Sequence, residues 1–308
     1  METRFLATFR TTATLESFTL AARQLGYSQS TVSAQIRALE TETGTPLVDR
    51  SSRRFRLTDA GMRLLDISGD ILTLETKVRE IASGTAEPSG ELRISAVESL
   101  IVVRLRETLA IFRKLCPRVR VCLRNSVCVE TVDTVVHGDV DLAFVIMPPL
   151  KHPDLEIVPL KTEEMVFVAP GGTDENLLVR ALELGRLDEC FIFTEPGCTY
   201  RIVVEHFFRE RGILPESRME LWSMDAIRRY VEDGFGISFM PRMYVAESAR
   251  RGTLTILNAP TPEETFRTQL AYRKRCDLSP AAQEFVRLVL DAAGRWDEPP
   301  LDENVASV

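Results

Sequence analysis

Long apolar runs, histidines and paired cysteines are what this 308-residue chain has least of. Its longest uncharged apolar stretch near the middle, Leu142 to Leu150, is nine residues and includes two prolines. A membrane span needs about 20. Met1 to Arg10 alternates charged and apolar residues without a long apolar core, so no signal peptide is expected and a cytoplasmic location is. Only three histidines occur (His137, His152, His206), and none of the six cysteines (Cys116, Cys122, Cys128, Cys190, Cys198, Cys276) forms a C-x-x-C pair. Zinc-ligand spacing is therefore missing, and no metal or cofactor is expected. In a reducing cytosol such cysteines read as small core residues. G-x-S-x-G, H-E-x-x-H, a P-loop and a strand-following G-x-G-x-x-G are all missing, which argues against an enzyme. His206 stands amid Glu205, Phe207 and Phe208, and reads as a half-buried helix residue rather than a general base.

What is present is an ordinary globular composition, 44% apolar and 27% charged. At roughly 150 residues per domain the length suggests two domains. The net charge of −7 hides an asymmetry. Residues 1–65 carry nine Arg, no Lys and six acidic groups, hence +3; the other 29 basic and 39 acidic groups give −10. A basic N-terminal piece on an acidic body suits a polyanion at that end alone.

The first 57 residues read as short helices. Phe5, Leu6 and Phe9 share one face of the first. A second starts near Ser17, buries Phe18, Ala21, Ala22 and Leu25, and ends at Gly26. Ser28 and Gln29 open a third, which runs to Gly44 with Val32, Ile36 and Leu39 as its buried stripe. Paired Ala and a Gly26-Tyr27-Ser28 junction make a helix-turn-helix. The face opposite the stripe carries Ser30, Ser33, Ala34 and Arg37, short hydroxyls and one guanidinium suited to base edges in a major groove. A solvated face of an ordinary helix is the competing reading. Pro46 to Leu57 then resembles a β-wing, with a Ser51-Ser52 turn, Phe55 and Leu57 inward, and Arg54 and Arg56 outward. Its four Arg in seven residues suit phosphates or a narrow minor groove; a solvated basic hairpin is the alternative.

Thr58 and Asp59 cap a long helix to Ala82, about 37 Å at 1.5 Å per residue. Leu64, Ile67, Ile71, Leu74, Val78 and Ile81 step by 3, 4, 3, 4 and 3, the seam of a coiled coil. A dimerisation helix explains that spacing better than a core helix does, because charges fill the other faces. Residues 83–90, small and polar with Gly and Pro, form a linker. Beyond it strands and helices alternate: strands near 92–97, 119–123, 141–146, 165–169, 190–194, 219–222, 237–240 and 268–273. Helices are expected near 99–115, 130–137, 177–185, 200–212, 225–232 and 280–293. The pattern predicts two similar α/β lobes with mostly parallel sheets and a cleft between them.

Ser17 to Ser33, continued by Gln35-Ile36-Arg37-Ala38-Leu39-Glu40, Gly44-Thr45-Pro46-Leu47, Arg50 and Leu57-Thr58-Asp59-Ala60-Gly61, resembles the LysR-type transcriptional regulators. So do Gly138-Asp139-Val140-Asp141-Leu142-Ala143 and Gly234-Phe235-Gly236-Ile237-Ser238-Phe239-Met240-Pro241. The resemblance spans nearly the whole chain. It implies an N-terminal winged helix-turn-helix (1–57), a linker or dimerisation helix (58–82), a hinge linker (83–90) and a two-lobed α/β effector domain of the type-2 periplasmic-binding-protein fold (91–308). Lobe 1 would be 91–162 and 267–296, lobe 2 163–266, and 297–308 a tail. The chain would cross between lobes near Lys161 to Met165 and return near Glu264 to Thr268.

Double-stranded DNA, a small-molecule effector, a second copy of the chain (dimer or tetramer) and RNA polymerase are the partners so implied. DNA contacts fall on Gln29, Ser30, Thr31, Ser33, Arg37, Arg50, Arg53 and Arg54. The chain departs from the family at Ala34, where many members carry Arg, and at Val48, where Phe is usual. Effector contacts fall on Ser99, Thr194, Cys198, Thr199 and Arg201, with Asn125, Ile146 and Met224 lining the cleft. Helix N-termini in the cleft favour an anion, a small carboxylate, which Glu98 would repel if it pointed inward. Each contact has a plainer alternative, a local helix cap, and for Arg201 an ion pair with Glu195 or Glu205. Cys198 at a helix N-terminus would have a lowered pKa and could sense oxidants. Peroxide-sensing members carry their reactive Cys one position on, at Thr199 here. A solute-binding protein or enzyme with an N-terminal dimerisation module is the remaining alternative.

Overall fold

A computed structural model describes residues 2–49, 55–83, 88–274 and 278–296, except the side chains at 70, 73, 76, 77 and 79–83. The N-terminal head is built from α1 (Thr3–Thr14), α2 (Phe18–Leu25) and α3 (Gln29–Thr43), followed by α4 (Asp59–Ser83). Leu6 and Phe9 of α1, Ala21 and Ala22 of α2 and Val32, Ile36 and Leu39 of α3 meet in one core with Leu47 and Val48. These are the positions that helical periodicity puts on one face of each element. The turn between α2 and α3 needs a left-handed residue; Gly26 supplies it at φ +68°, where a side chain would be strained. Ser17 then caps α2, and Ser28 caps α3 by accepting from the Thr31 N–H at 3.1 Å.

The wing is present at its base. Val48 bridges Leu57 in antiparallel sense, and the Asp49 N–H donates to the Arg56 carbonyl at 2.9 Å. Phe55 packs edge-on against Phe18 with ring centroids 5.8 Å apart, while Arg56 is exposed. The tip with Arg50, Arg53 and Arg54 lies outside the described residues. So do residues 84–87 of the linker, Cys276 and the tail from 297.

The heptad repeat of α4 is divided rather than forming one seam. Leu64 and Ile71, with Leu65 and Leu72, pack on the head core. Ile67, Leu74 and Val78 stay between 52% and 64% exposed. The reason is that α1 lies along the first half of α4 and covers one flank of the apolar stripe. The Ile81 side chain lies outside the description.

The first lobe contains β1 (Gly90–Ala96), α5 (Glu98–Leu100) leading through a π-helical turn (Ile101–Leu105) into α6 (Arg106–Leu115), β2 (Val119–Asn125), α7 (Cys128–Val136), β3 (Leu142–Met147) and β4 (Leu155–Glu163). The second contains β5 (Met165–Pro170), α8 (Leu177–Leu184), β6 (Phe191–Phe193), α9 (Thr199–Glu210), β7 (Arg218–Glu220), α10 (Met224–Glu232), β8 (Ser238–Pro241), α11 (Arg242–Arg250) and β9 (Leu254–Ile256). β10 (Phe266–Arg273) returns to the first lobe, and α12 (Pro280–Ala293) covers it. The first sheet runs β2-β1-β3-β10-β4, with β1, β2 and β3 parallel and β10 antiparallel to both its neighbours. In the second lobe β8-β5-β9 and β6-β7 are joined by a bridge between Phe191 and Ile237.

β4, β9 and α11 go beyond the sequence reading. β4 is an edge strand holding Pro159 and charged residues, so it lacks an apolar run and is tolerated only because its outer edge needs no donor. The chain leaves the first lobe at Glu164 and re-enters at Phe266, which pairs with Glu163. Buried Glu163 fastens this double crossing. It accepts from Thr268 Oγ1 at 2.7 Å and pairs with Arg104 at 3.1 Å.

The head docks on the first lobe through a buried guanidinium. Arg10 of α1 pairs with Asp139 at 2.6 Å and donates to the His137 carbonyl at 3.3 Å and to Ser68 Oγ of α4 at 3.4 Å. Gly69 permits this approach, since a Cβ there would lie 2.5 Å from Arg10 Nη1. The same turn is held by Arg93, which pairs with Asp141 at 2.6 Å and donates to the Gly138 carbonyl.

Candidate functional site

Two surfaces concentrate the chemistry. The first is the start of α3. Ser28 Oγ lies 2.7 Å from Ser30 Oγ and 2.8 Å from Thr31 Oγ1, a cluster of hydroxyls around the helix N-terminus. Gln29, Ser30 and Arg37 are exposed, Thr31 and Ser33 half-buried, and Val32, Ile36 and Leu39 face the core. Gln29 accepts from Thr19 of α2 at 3.4 Å, so the two helices present one continuous polar ridge. Arg37 pairs with no acid among the described residues, and its guanidinium is available to an outside acceptor. Exposed hydroxyls, one amide and one guanidinium on a rigid helix are the groups that read base edges.

The second surface is a cavity of about 210 Å³ between the lobes. Ser99, Asn125, Thr194, Cys198 and Met224 line it, as the sequence suggested. Ile146, Thr199 and Arg201 do not. Ile146 is fully buried in β3, where its carbonyl takes the Cys128 thiol at 3.3 Å. Thr199 is buried at the first turn of α9, beside the Cys128 thiol. Arg201 points away from the cavity and is consumed by Glu205 at 2.9 Å, Glu220 at 2.6 Å and the Thr194 carbonyl at 3.0 Å. The plainer alternative, an ion pair with Glu205, is the one observed.

Glu98 lines the cavity, the arrangement in which the expected small carboxylate would be repelled. Its carboxylate bridges the lobes and takes the Ser223 hydroxyl at 3.1 Å, the Met224 N–H at 2.9 Å and the Asp225 N–H at 3.3 Å. The N-terminus of α10 is thus already filled by the chain's own carboxylate. Glu130 and Glu195 line the same cavity, and among the described residues no Arg, Lys or His does. Burial raises the Glu195 pKa above the ordinary carboxylate range, with Glu98 and Glu130 adding to it. A carboxylate ligand entering here would meet three like charges and no counter-charge from the described residues.

Family membership follows from matches at both ends of the chain. The model described as bacterial regulatory helix-turn-helix protein, lysR family, matches residues 3–62, and that of the LysR substrate binding domain matches 85–294. The chain is a member of the LysR family.

Its relatives agree. It is 31% identical over 293 residues to the uncharacterized HTH-type transcriptional regulator YwqM of Bacillus subtilis, covering 94% of this chain and 98% of that one. It is 31% identical to the HTH-type transcriptional regulator GltR of the same organism, with 94% and 97% covered. Among solved structures, a full-length OxyR variant from Pseudomonas aeruginosa superposes with TM-score 0.66 at 21% identity, over 95% of this chain and 94% of that one. This LysR-family chain is therefore a DNA-binding transcriptional regulator with an effector-binding domain.

In this LysR-family chain Cys198 lacks the lowered pKa that a helix N-terminus alone would give. Burial raises it, outweighing the hydrogen bonds that lower it. Cys128, across the cleft, is pushed up to about 12 by burial and by Cys198. Both thiols are therefore protonated near neutral pH and poorly nucleophilic. Treatment with peroxide followed by thiol mass mapping is expected to leave Cys198 unmodified while the half-buried Cys190 labels. Sulfenylation of Cys198 ahead of it would reverse this reading. Sequence reasoning passed over Glu130, Trp222, Tyr200 and Cys128 as cavity residues. Cys128 and Glu130 share the first turn of α7, but Tyr200 and Trp222 lie 70 or more residues on, and no spacing relates the two sets.

Proposed function

We propose that this regulator reads operator DNA with the start of α3, and that a small molecule in the interlobe cavity tunes that binding. The exposed ridge of Gln29, Ser30, Thr31, Ser33 and Arg37 carries the reading, because a rigid helix displays it together with a guanidinium that no described acid pairs. Arg50, Arg53 and Arg54 of the wing would contact phosphates. Ile67, Leu74 and Val78 would join two copies into a dimer, so that two heads occupy successive major grooves. A tetramer would present two such pairs. The regulator would act in the cytoplasm, with RNA polymerase as its further partner.

The cavity lies where ligand-driven lobe closure would act. Glu98 and the Ser99–Tyr200 hydrogen bond at 3.2 Å already join the lobes there. Closure would shift the first lobe, and Asp139 would carry the shift to Arg10 in the head.

The test is a salt series on a fragment of the chain's own promoter region. The logarithm of affinity is expected to fall linearly with that of salt. Arg53→Ala with Arg54→Ala is expected to lower the slope by about one for each phosphate no longer neutralised. Arg37→Ala is expected to cost about 1–3 kcal/mol and to relax sequence preference. Salt-independent or absent binding would count against the reading.

A further inference from the structure

The charge and aromatic content of the interlobe cavity define the class of molecule it takes. Glu98, Glu130 and Glu195 face it, with no basic side chain among the described residues that line it. Two of the three are already engaged: Glu98 with the α10 N-terminus, and Glu130 with Ser126 Oγ at 2.6 Å. None of the three pairs with a cationic side chain among the described residues, and Glu195 is the one whose carboxylate takes no hydrogen bond from another of them. Independently of the carboxylates, Thr194 lines the same cavity with its Oγ1 buried and, apart from its contact with the Cys198 thiol, without a hydrogen-bond partner. Thr194 is 4% exposed, so that oxygen has given up water for no more than a thiol contact, a cost a ligand donor would reduce.

Trp222 adds a third, separate observation. It is 72% exposed and borders the cavity, unusual for so large an apolar surface, so its indole is available to whatever enters. Carboxylates beside an exposed indole favour a positive group on both electrostatic and cation–π grounds. A bare metal ion does not fit as well. The described His, Cys, Asp and Glu side chains form no cluster with metal-holding geometry, so the three carboxylates suit charges spread along a chain rather than one point. About 210 Å³ holds roughly seven waters at ~30 Å³ each, room for a short metabolite.

We propose that the interlobe cavity receives a small organic cation, an amine or guanidinium on a short carbon chain, with Glu195 as its counter-charge, Thr194 Oγ1 as an acceptor and Trp222 across one face. This rests on the reading of the cavity as the regulatory site and narrows it.

Three four-carbon probes of equal length but different charge test it on the full chain: 1,4-diaminobutane, butanedioate and 1,4-butanediol, each at about 10 mM. The diamine alone is expected to raise the melting temperature, by about 2–4 °C, and to change tryptophan emission. Trp222→Phe is expected to abolish the emission change, leaving the signal of Trp296. Glu195→Gln removes a half-buried charge repelled by Glu98 and Glu130, so the ligand-free melting temperature is expected to hold or rise, while diamine affinity falls at least about tenfold. The proposal is overturned if the diamine gives no shift, if butanedioate gives an equal or larger one, or if the diamine shift survives Glu195→Gln. Protection of promoter DNA separates the two levels. Diamine binding that depends on Glu195 but leaves protection unchanged supports the cation site and counts against the regulatory reading. Butanedioate that binds and alters protection upholds the regulatory reading and removes the cationic class.

Discussion

Asp139→Ala is expected to destabilise the chain by about 3 kcal/mol, the lower part of the range for removing one partner of a buried ion pair. The Arg10 side chain is 9% exposed and keeps only the Ser68 hydroxyl and the His137 carbonyl once its carboxylate is gone. A guanidinium cannot shed its charge to escape, although burial lowers its pKa against the pull of Asp139. The ion pair joins α1, α4 and the first lobe, so removing it is expected to undock the head as well as lower the urea midpoint. Arg10→Met combined with Asp139→Ala removes the stranded charge and is expected to recover most of the stability, because the cost comes from the unpaired partner rather than from the missing bond. A midpoint unchanged in Asp139→Ala would mean that the head does not rest on the first lobe in solution.

The second large effect concerns assembly. Leu74 and Val78 are 58% and 64% exposed on α4 although they continue an apolar repeat. If two copies bury this stripe, each side chain contributes about 1.5–3 kcal/mol in each copy. Leu74→Ala with Val78→Ala is then expected to weaken the dimer by on the order of 6 kcal/mol, about 10⁴-fold in its dissociation constant. Sedimentation equilibrium reads that change directly. The thermal melt of the separated chain is expected to move little, since neither side chain is buried within one copy. Leu64→Ala makes the opposite control: that residue packs against the head core, and truncating it is expected to lower stability first. An unaltered dimer in the double variant would remove α4 as the joining element.

Much of the molecule is legible in its sequence, and the reason differs from element to element. The stripe of Val32, Ile36 and Leu39, the Gly26 turn and the Ser28 cap are local features, decided within a few residues by helical geometry and backbone sterics. The exposed ridge of α3 follows as the complement of that stripe. In the cavity, Ser99, Asn125, Thr194, Cys198 and Met224 can be anticipated from the family resemblance, and strand ends and helix starts do meet there, where two α/β lobes face each other. Arg201 misleads for the opposite reason. Its place at a helix start suggests a ligand, but Glu220, 19 residues away, lies within reach and satisfies it first.

The amino-acid order by itself determined the family, the helical head, most of the strands and helices in their order and the apolar stripe of α4, because propensity, periodicity and caps act over short stretches of chain. Tertiary structure alone decided the sign of the cavity, the raised pKa of its thiols and the seating of the head. Glu98 reaches Met224, and Arg10 reaches Asp139, across more than a hundred residues, and burial there outweighs the local preferences of each group. Long-range charge and desolvation depend on which surfaces the folded chain brings together, and that information belongs to no single segment.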